Sequence, residues 1–546
     1  MAATSFPPPT PSLSVLSALS TLRRGEERLS GTFDHAFDPA DNPWRHLGAL
    51  AFLCLVVAVA SGAIAYALYD TSVSGAYQSG LRLQNDPTML GRLLRGLHRY
   101  SADALALLTV LHLLREAVRG HYRGVRWFSW LTGAPLVWLL WIAGLTGLWL
   151  LWDSRALYSV TATAELLQAL PLAPDLLARN VLTADALNDR FFSLIMFIHI
   201  GVPLFLLAAM WVHVQRLSRP RLWPPRSLAI GCLVTLSLLS IAMPAESLGP
   251  ADTGHVSASQ SIDWFYQFPH PLADIASATA AWLLAFAFTA LVIALAVLPR
   301  MRRSSAKGNV SLPVAQVNLA NCNGCSRCAV DCPFGAVEMI ARTDQRRHPR
   351  QASVIADLCA GCGICAGACP SSTPFRRIED MVSGIEMPGA SIASLREELK
   401  RGLASLDGPD RVVVFACRNA ADHAALRNTS TLLMRLECAA MLPPSFIEFA
   451  GRLGATGTVI AGCREGDCEY RLGDQWVQQR LSGAHEPHLR AVVSRDRLHV
   501  IWSGQDIAQV QAAVASLRGG MSGKSSNQAS DKGTERVTHS SEAHHD

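Results

Sequence analysis

Four histidines stand inside apolar stretches of the chain, in two pairs with the same spacing. His98 and His112 are fourteen residues apart, and so are His199 and His213. Fourteen residues of α-helix make almost a whole number of turns and rise about 21 Å, so each pair shares one helix face near opposite membrane surfaces. Because polar side chains are costly at membrane depth and neutral imidazole is a common haem ligand, the pattern predicts two bis-histidine haem sites.

Glycines on two further apolar stretches repeat this spacing. Gly48 and Gly62 are fourteen residues apart, as are Gly133 and Gly147. A residue without Cβ lets a flat macrocycle approach the backbone, so we interpret the four glycines as flanking the two haem levels. The alternatives are glycines that only pack helices in the membrane and histidines that only bond one helix to another. Three nearby arginines are candidates for neutralising haem propionates, with interfacial anchoring as the alternative: Arg95, Arg99 and Arg115.

Twelve of the fourteen cysteines lie after residue 320, and eight of them form two copies of one motif. Residues 322–333 and 359–370 each follow the pattern C-x-x-C-x-x-C-x-x-x-C-P. In this pattern three thiolates bind one iron–sulfur cubane and the fourth ligates the other. The sequence therefore predicts two 4Fe–4S clusters, with zinc-binding knuckles as the alternative. The ligand sets are Cys322, Cys325, Cys328 and Cys369 for the first cluster, and Cys359, Cys362, Cys365 and Cys332 for the second.

The last four cysteines fall in a region of alternating strand and helix patterns. Cys417 and Cys463 end the β-rich apolar runs 411–417 and 457–463, and a third such run covers 498–503. Parallel α/β folds build their sites at the carboxyl ends of strands. With Cys438 and Cys468 these residues make a set of four candidate metal ligands, and buried structural thiols are the alternative.

The elements that must position these residues divide the chain in two. Of 546 residues half are hydrophobic, and the apolar ones concentrate before about residue 300. A net charge of +5 is too small to imply a nucleic-acid partner. Arginines cluster after the second, fourth and sixth apolar segments, which predicts that both chain ends lie in the cytoplasm of a bacterium, with the chain in its inner membrane. Thiolate ligands also favour that reducing compartment. The six predicted spans are 46–69, 98–119, 128–152, 190–216, 227–244 and 272–298.

The predicted fold is multidomain. An all-α membrane bundle of about six transmembrane helices is followed by an α+β ferredoxin-like domain and a small α/β domain with a parallel sheet. The expected boundaries are 1–41 for an N-terminal lead and amphipathic helix, 42–300 for the membrane domain, 301–315 for a linker, 316–378 for the ferredoxin domain, 379–408 for a connecting helix, 409–518 for the last domain and 519–546 for a disordered tail.

Residues 42–217 resemble cytochrome b of quinol-oxidising bc-type complexes, in the stretches NPWRHLGALAFLCLVVAVASG, GRLLRGLHRYSA and RFFSLIMFIHIGVPL. The resemblance implies two b-type haems, one held by an outer pair (His98 and His199) and one by an inner pair (His112 and His213), and it suggests a homodimer. LTGLWLLWDSRALYSVTA resembles the segment that lines the outer quinol pocket. SIDWFYQFPHPL is similar to the family's Pro-Glu-Trp-Tyr motif, which makes Asp263 the candidate quinone-site carboxylate, although the proline is missing.

Two further resemblances cover the second half. Residues 316–378 are similar to bacterial two-cluster ferredoxins. GATGTVIAGCREGDCEYRLGD and FACRNAAD resemble the delta subunit of methyl-viologen-reducing hydrogenases, which implies one 2Fe–2S cluster on the last four cysteines, although the second cysteine expected two or three residues after Cys417 is missing. That subunit passes electrons between a dehydrogenase or hydrogenase and a heterodisulfide-reductase-type flavoprotein.

Together these patterns predict a membrane-bound electron-transfer subunit of a quinone-linked oxidoreductase. It would couple the quinone pool, through two haems, to a soluble cytoplasmic dehydrogenase, hydrogenase or heterodisulfide-reductase-like partner, since no nicotinamide or flavin fingerprint is visible. Chain order places the cubanes next to the inner haem and the last cluster beyond them. The alternatives are a passive electron relay without quinone turnover and a redox sensor.

Overall fold

The structure is a computed structural model that describes residues 13–170, 188–252, 254, 261–305, 313–344, 346–377, 381–421, 423–502, 504 and 506–519. The first twelve residues of the predicted lead, residues 306–312 of the predicted linker and the predicted tail after residue 519 lie outside the described residues.

Helices make up the described part of the chain up to residue 305. Each predicted span corresponds to a helix, and short helices that the sequence analysis did not predict lie between them. Their bounds are α1 Leu13–Ala36, α2 Leu47–Ala67, α3 Gly75–Gln84, α4 Leu90–Val118, α5 Trp127–Trp149, α6 Ser154–Gln168, α7 Asp189–Val214, α8 Arg226–Ala242, α9 Pro269–Ile275 and α10 Ala278–Ser305.

Within the described residues, four stretches of helix are long and apolar enough to cross a membrane: Leu47–Ala67, Gly124–Trp149, Asp189–Val214 and Ala278–Leu298. The shorter α8 is apolar over 17 residues. The helix α4 spans the same bundle but begins eight residues before the predicted span and carries three buried polar side chains, those of Arg95, Ser101 and Arg115. A helix that packs polar side chains inward has weaker overall hydropathy than a lipid-facing helix, which explains the difference.

The bundle is organised around two helix pairs. The helices α2 and α4 pack together, as do α5 and α7, and α8 and α10 cover α4 and α5 from outside. Small and branched apolar side chains fill the centre, among them Cys54, Ala106 and Leu140. This packing places both predicted histidine helices, α4 and α7, toward the interior of the same bundle.

Two small antiparallel sheets form the ferredoxin-like domain. The strands β1 Gln316–Val317 and β4 Ile385–Glu386 form one sheet, and β2 Val337–Ala341 and β3 Arg350–Val354 form the other, with short helices α11 Arg327–Val330 and α12 Ile364–Ala368 beside them. The strand β4 lies in the segment 379–408, which the sequence analysis expected to be a connecting helix. Ile385 is buried in the ferredoxin core, so the domain extends past its predicted end.

The last domain is a parallel sheet of four strands in the order β6–β5–β7–β8. The sequence predicted three of these strands and missed the edge strand β6. Helices cover both faces, and α13 packs its leucines against β5 as part of this core. The bounds are α13 Ile392–Ala404, β5 Val412–Cys417, β6 Thr431–Leu436, α14 Ser445–Arg452, β7 Gly457–Ala461, α15 Gly473–Ser482, β8 Leu498–Ile501 and α16 Ile507–Gly519.

A fully buried ion pair joins the two domains after the bundle. Arg480 on α15 donates to Asp331 at 2.5 Å and to the carbonyl oxygen of Ala440 at 2.7 Å. The two charged side chains are 1% and 0% exposed, and His485 contacts the second Asp331 oxygen at 2.7 Å. A buried pair of this kind fixes geometry, because either charge left alone inside the protein is strongly unfavourable.

We expect Arg480→Leu to destabilise the contact between these domains by roughly 3–5 kcal/mol, since Asp331 would keep a buried charge without its guanidinium. Protease resistance of the purified chain, followed against urea concentration, measures the effect. The matched control is Lys400→Gln, which removes an exposed pair with Glu397 worth about 0.5 kcal/mol or less. Equal urea midpoints for the two variants would contradict this assignment.

Candidate redox sites

The outer pair consists of two imidazoles that face each other across the bundle. The ring centroids of His98 on α4 and His199 on α7 lie 6.1 Å apart. His98 Nδ1 is 2.9 Å from the carbonyl oxygen of Ala58, and His199 Nδ1 is 2.9 Å from that of Ala143. A carbonyl accepts only from a protonated nitrogen, so each ring keeps Nε2 free as a donor to a metal. Metal-binding histidines are commonly oriented in this way.

Each predicted glycine faces one of the predicted histidines. A Cβ added at Gly62 would lie 2.8 Å from His98 Cε1, and one at Gly147 would lie 2.7 Å from His199 Cε1. At the inner level, a Cβ added at Gly48 would lie 3.4 Å from Cε1 of His112, and one added at Gly133 would lie 3.4 Å from Cε1 of His213. These glycines leave room beside imidazoles rather than beside a neighbouring backbone, which favours the cofactor interpretation over simple helix packing.

The inner pair lines a cavity of about 350 Å³. His112 and His213 share its wall with Gly48, Gly133 and leucines of four helices. Opposed imidazoles, missing Cβ atoms and an apolar lining fit a b-type haem, which needs two axial donors and a dry, flat space. The residues present therefore suit the group that the histidine spacing predicts.

The wall of this cavity that faces the last domain comes from a single segment, 466–472, which includes Cys468. Asp467 pairs with Arg115 and, at 2.7 Å, with Arg119. Arg126 donates to the carbonyl oxygen of Glu469 at 2.8 Å and to that of Cys468 at 3.3 Å. The arginines at this end of the bundle thus hold the segment against the inner pair.

The three arginines proposed as propionate partners take different positions. Only Arg115 lines the inner cavity, and it already pairs with Asp467 and with Glu116 at 3.2 Å. Arg95 donates to Ser247 at 2.7 Å and to Gln84, which ties the end of α3 and the loop after α8 to α4. The sequence analysis did not assign the other cavity arginines to a cofactor, because they come from four parts of the chain, namely before α2, between α4 and α5, after α7 and in the last domain: Arg45, Arg119, Arg126, Arg221 and Arg471.

Asp263 is buried in a loop and fully engaged by protein groups. It pairs with Arg99, which also pairs with Asp103 at 3.0 Å. The other carboxylate oxygen of Asp263, Oδ1, accepts hydrogen bonds from the backbone N–H groups of Phe265 at 2.9 Å and Tyr266 at 2.7 Å. In this arrangement the carboxylate caps its own loop and holds Arg99.

The eight motif cysteines come together in two groups of four, each containing one residue of the other motif. Burial and then the thiols of Cys369, Cys325 and Cys322 raise the pKa of Cys328 to about 12. Burial and then Cys362, Cys332 and Cys359 raise the pKa of Cys365. These are the two predicted ligand sets. Across the described ranges, no three His, Cys, Asp or Glu side chains converge on a single-ion site.

The last four cysteines also meet, at the carboxyl edge of the parallel sheet. Cys417 Sγ lies 3.6 Å from Cys463 Sγ, and Cys438 hydrogen bonds to Cys417 and Cys468. The sequence analysis missed Gly473 here: a Cβ at this position would lie 2.6 Å from Cys438 Sγ and 3.0 Å from Cys468 Sγ. Its only sequence signal is its place five residues after Cys468.

This group stands between the inner pair and the cubane motifs. Cys468 lines the inner cavity, and Cys438 shares a buried cluster with Cys362 of the second motif. The order along the chain predicted a different spatial order, in which the cubane motifs lie next to the inner pair and the four-cysteine group lies beyond them. The difference arises because the segment around Cys468 carries the charges that pair with the arginines at the end of the bundle.

We expect Gly147→Val to remove about half of the bound b-type haem, because its side chain would occupy the space of the His199 ring and disable one of two sites. Haem content of the purified protein, measured from the absorbance of its pyridine complex, reports the loss. The control is Gly201→Val on α7, where an added Cβ meets no atom within 4 Å. Full haem content in Gly147→Val would refute the glycine assignment.

Three family models match successive parts of the chain. Residues 34–220 match cytochrome b/b6/petB, residues 321–373 match a 4Fe-4S dicluster domain, and residues 412–519 match the delta subunit of methyl-viologen-reducing hydrogenase. Residues 221–320, which contain α8 to α10, and residues 374–411 lie outside the three matches.

Individual relatives cover the first of these regions. Cytochrome b6 of Euglena gracilis is 30% identical over 164 residues, which is 29% of this chain and 76% of that protein. The menaquinol:cytochrome c reductase cytochrome b subunit of Bacillus subtilis is 27% identical over 201 residues, 34% of this chain and 87% of its own length. A solved structure titled hyperthermophilic respiratory Complex III aligns with a TM-score of 0.39 and 19% identity, covering 46% of this chain and 74% of that one.

The helical bundle with its histidine pairs, the paired cysteine motifs and the small parallel sheet agree with the three matched regions. The chain is a multi-pass membrane protein that belongs to the cytochrome b family, fused to a 4Fe–4S dicluster domain and to a domain of the methyl-viologen-reducing hydrogenase delta-subunit family.

Proposed function

We propose that this chain is a membrane electron-transfer subunit that couples the quinone pool to a soluble cytoplasmic redox partner. When bound, two b-type haems, two 4Fe–4S clusters and a 2Fe–2S cluster on the last four cysteines supply one-electron transfer. The observation that carries the proposal is the inner cavity, whose wall contains both His112 and Cys468. A relative that is a menaquinol:cytochrome c reductase subunit supports the quinone as the membrane-side reactant.

The histidine helices would hold their cofactors rigidly. Backbone carbonyls of Ala58 and Ala143 orient the outer imidazoles, and Thr132 Oγ1 lies 3.3 Å from Nδ1 of His213 at the inner level. Fixed ring orientation lowers the reorganisation that accompanies a change in charge. The bundle therefore supplies fixed geometry and a low-dielectric surrounding for electron transfer.

The site order that we propose follows the contacts. It begins with the outer pair and the inner pair, continues with the four cysteines Cys417, Cys438, Cys463 and Cys468, and ends with the second and then the first cubane. Cys438 and Cys362 lie in one buried cluster, and Cys325 of the first motif is exposed. We place the surface for the soluble partner at that exposed end, on the cytoplasmic side.

The experiment uses the purified chain in lipid nanodiscs with a reduced low-potential ferredoxin as electron donor and a quinone analogue as acceptor. We expect the b-band to become reduced through the iron–sulfur half and then reoxidised when quinone is added. The double variant Cys438→Ser, Cys468→Ser should keep the haem spectrum but lose reduction by ferredoxin. The control is Cys232→Ser, a thiol in the bundle outside the three groups.

The outcomes separate the rival functions. Haems that become reduced but ignore quinone would make the chain a relay and refute quinone coupling. Absence of a b-band in the wild type would refute both histidine pairs. Undiminished haem reduction in the double cysteine variant would refute the proposed site order.

A second variant tests the carboxylate of the outer loop. We expect Asp263→Asn to leave quinone-dependent haem reoxidation within about twofold of the wild type, because the carboxylate is already used by Arg99 and two backbone N–H groups. A carboxylate that takes the quinol proton would contribute on the order of 100-fold or more. A loss of that size, with the haem spectrum intact, would restore the catalytic role predicted from sequence.

A further inference from the structure

The guanidinium of Arg471 lies where three parts of the chain meet. Its Nη1 donates to the carbonyl oxygens of Ser218 and Pro333, both at 2.8 Å, and its Nη2 donates to that of Arg219 at 3.1 Å. The backbone N–H of Ser218 also donates to the carbonyl oxygen of Pro333 at 3.0 Å. One charged side chain thereby joins three backbone segments that are distant in sequence.

Each of these segments belongs to a different candidate redox site. Ser218 follows α7 and stands five residues after His213 of the inner pair. Pro333 directly follows Cys332, which completes the second cubane set. Arg471 itself stands three residues after Cys468 and lines the inner cavity. A shift of this side chain would alter the separation of all three sites.

The backbone around this contact is held in an uncommon conformation. Arg471 has a φ of 70° and Arg219 has a φ of 50°, in the left-handed region that residues with long side chains seldom adopt. Such residues persist where the surroundings determine them strongly. Burial lowers the pKa of Arg471 to about 10, so its hydrogen bonds still come from a charged group at neutral pH.

We propose that Arg471 is a positioning residue that sets the spacing of the inner haem site, the four-cysteine centre and the second cubane. The inference rests on the proposed function, because it concerns the sites through which that function would operate. Arginine suits this task, since its planar fork presents several donors at fixed angles, whereas a lysine ammonium has no such fork.

The test compares Arg471→Gln and Arg471→Lys with the wild type and with a matched control. The control is Arg464→Gln, because Arg464 also ties this domain to another part of the chain: it donates to the carbonyl oxygen of Glu27 at 2.7 Å and to Asp34 at 2.8 Å. Haem and iron contents are measured first. Electron paramagnetic resonance then measures the magnetic interaction between the reduced four-cysteine centre and its neighbours, and rapid mixing with reduced ferredoxin measures haem reduction.

We expect both Arg471 variants to keep full haem and iron contents, to lose most of the magnetic interaction and to show haem reduction by ferredoxin that is roughly tenfold slower or worse, since misplaced reactants lose large factors in rate. Arg464→Gln should match the wild type. Unchanged interaction in Arg471→Gln, full rescue by lysine, or equal loss in Arg464→Gln would each overturn the inference. Loss of haem or iron from both Arg471 variants would overturn it as well, by giving Arg471 a role in building the sites. A wild type that transfers no electrons between haem and clusters would refute the proposed function, whereas the magnetic comparison would still decide the role of Arg471.

Discussion

The arrangement of this protein depends on one buried carboxylate, that of Asp467. It faces Arg115, Arg119 and, at 3.9 Å, Arg45, and Glu26 of α1 completes the network through Arg119 at 3.0 Å. Opposite charges that are buried together must stay together, because separating them leaves an unpaired charge inside the protein. Asp467 therefore holds the last domain in one position, with the neighbouring Cys468 in the wall of the inner cavity.

The membrane domain depends on a different constraint, the space that must be left beside the histidine rings. Four glycines stand beside four imidazoles. At the outer pair, main-chain carbonyl oxygens accept hydrogen bonds from Nδ1 of His98 and of His199. In a bundle without water, a polar ring needs such partners, and a flat cofactor needs a wall without side chains. These two needs explain why glycine and histidine repeat at the same spacing on different helices.

Local and periodic patterns could be predicted from the sequence. The histidine and glycine spacings, the cysteine motifs, the six apolar segments and three of the four parallel strands are all visible within short windows, and the structure brings the chosen side chains together. The docking of the last domain could not be predicted, because Asp467 and Arg115 are 352 residues apart and each is an ordinary charge in its own context. Arg471 was missed for the same reason, because its partners Ser218 and Pro333 are 253 and 138 residues away. Gly473 has no signal beyond its place five residues after Cys468, and Arg95, which was given a cofactor role, binds Gln84 and Ser247 instead. The short strand β4 was assigned to a helix, since two residues give no periodicity to read.

The inner cavity takes one of its walls from residues 466–472, which the ribosome makes long after the helices that carry His112 and His213. Until that segment is synthesised and its domain has folded, the mouth of the cavity on this side lacks its cover. A haem held by His112 and His213 would therefore enter this side of the bundle most readily before the last domain covers it.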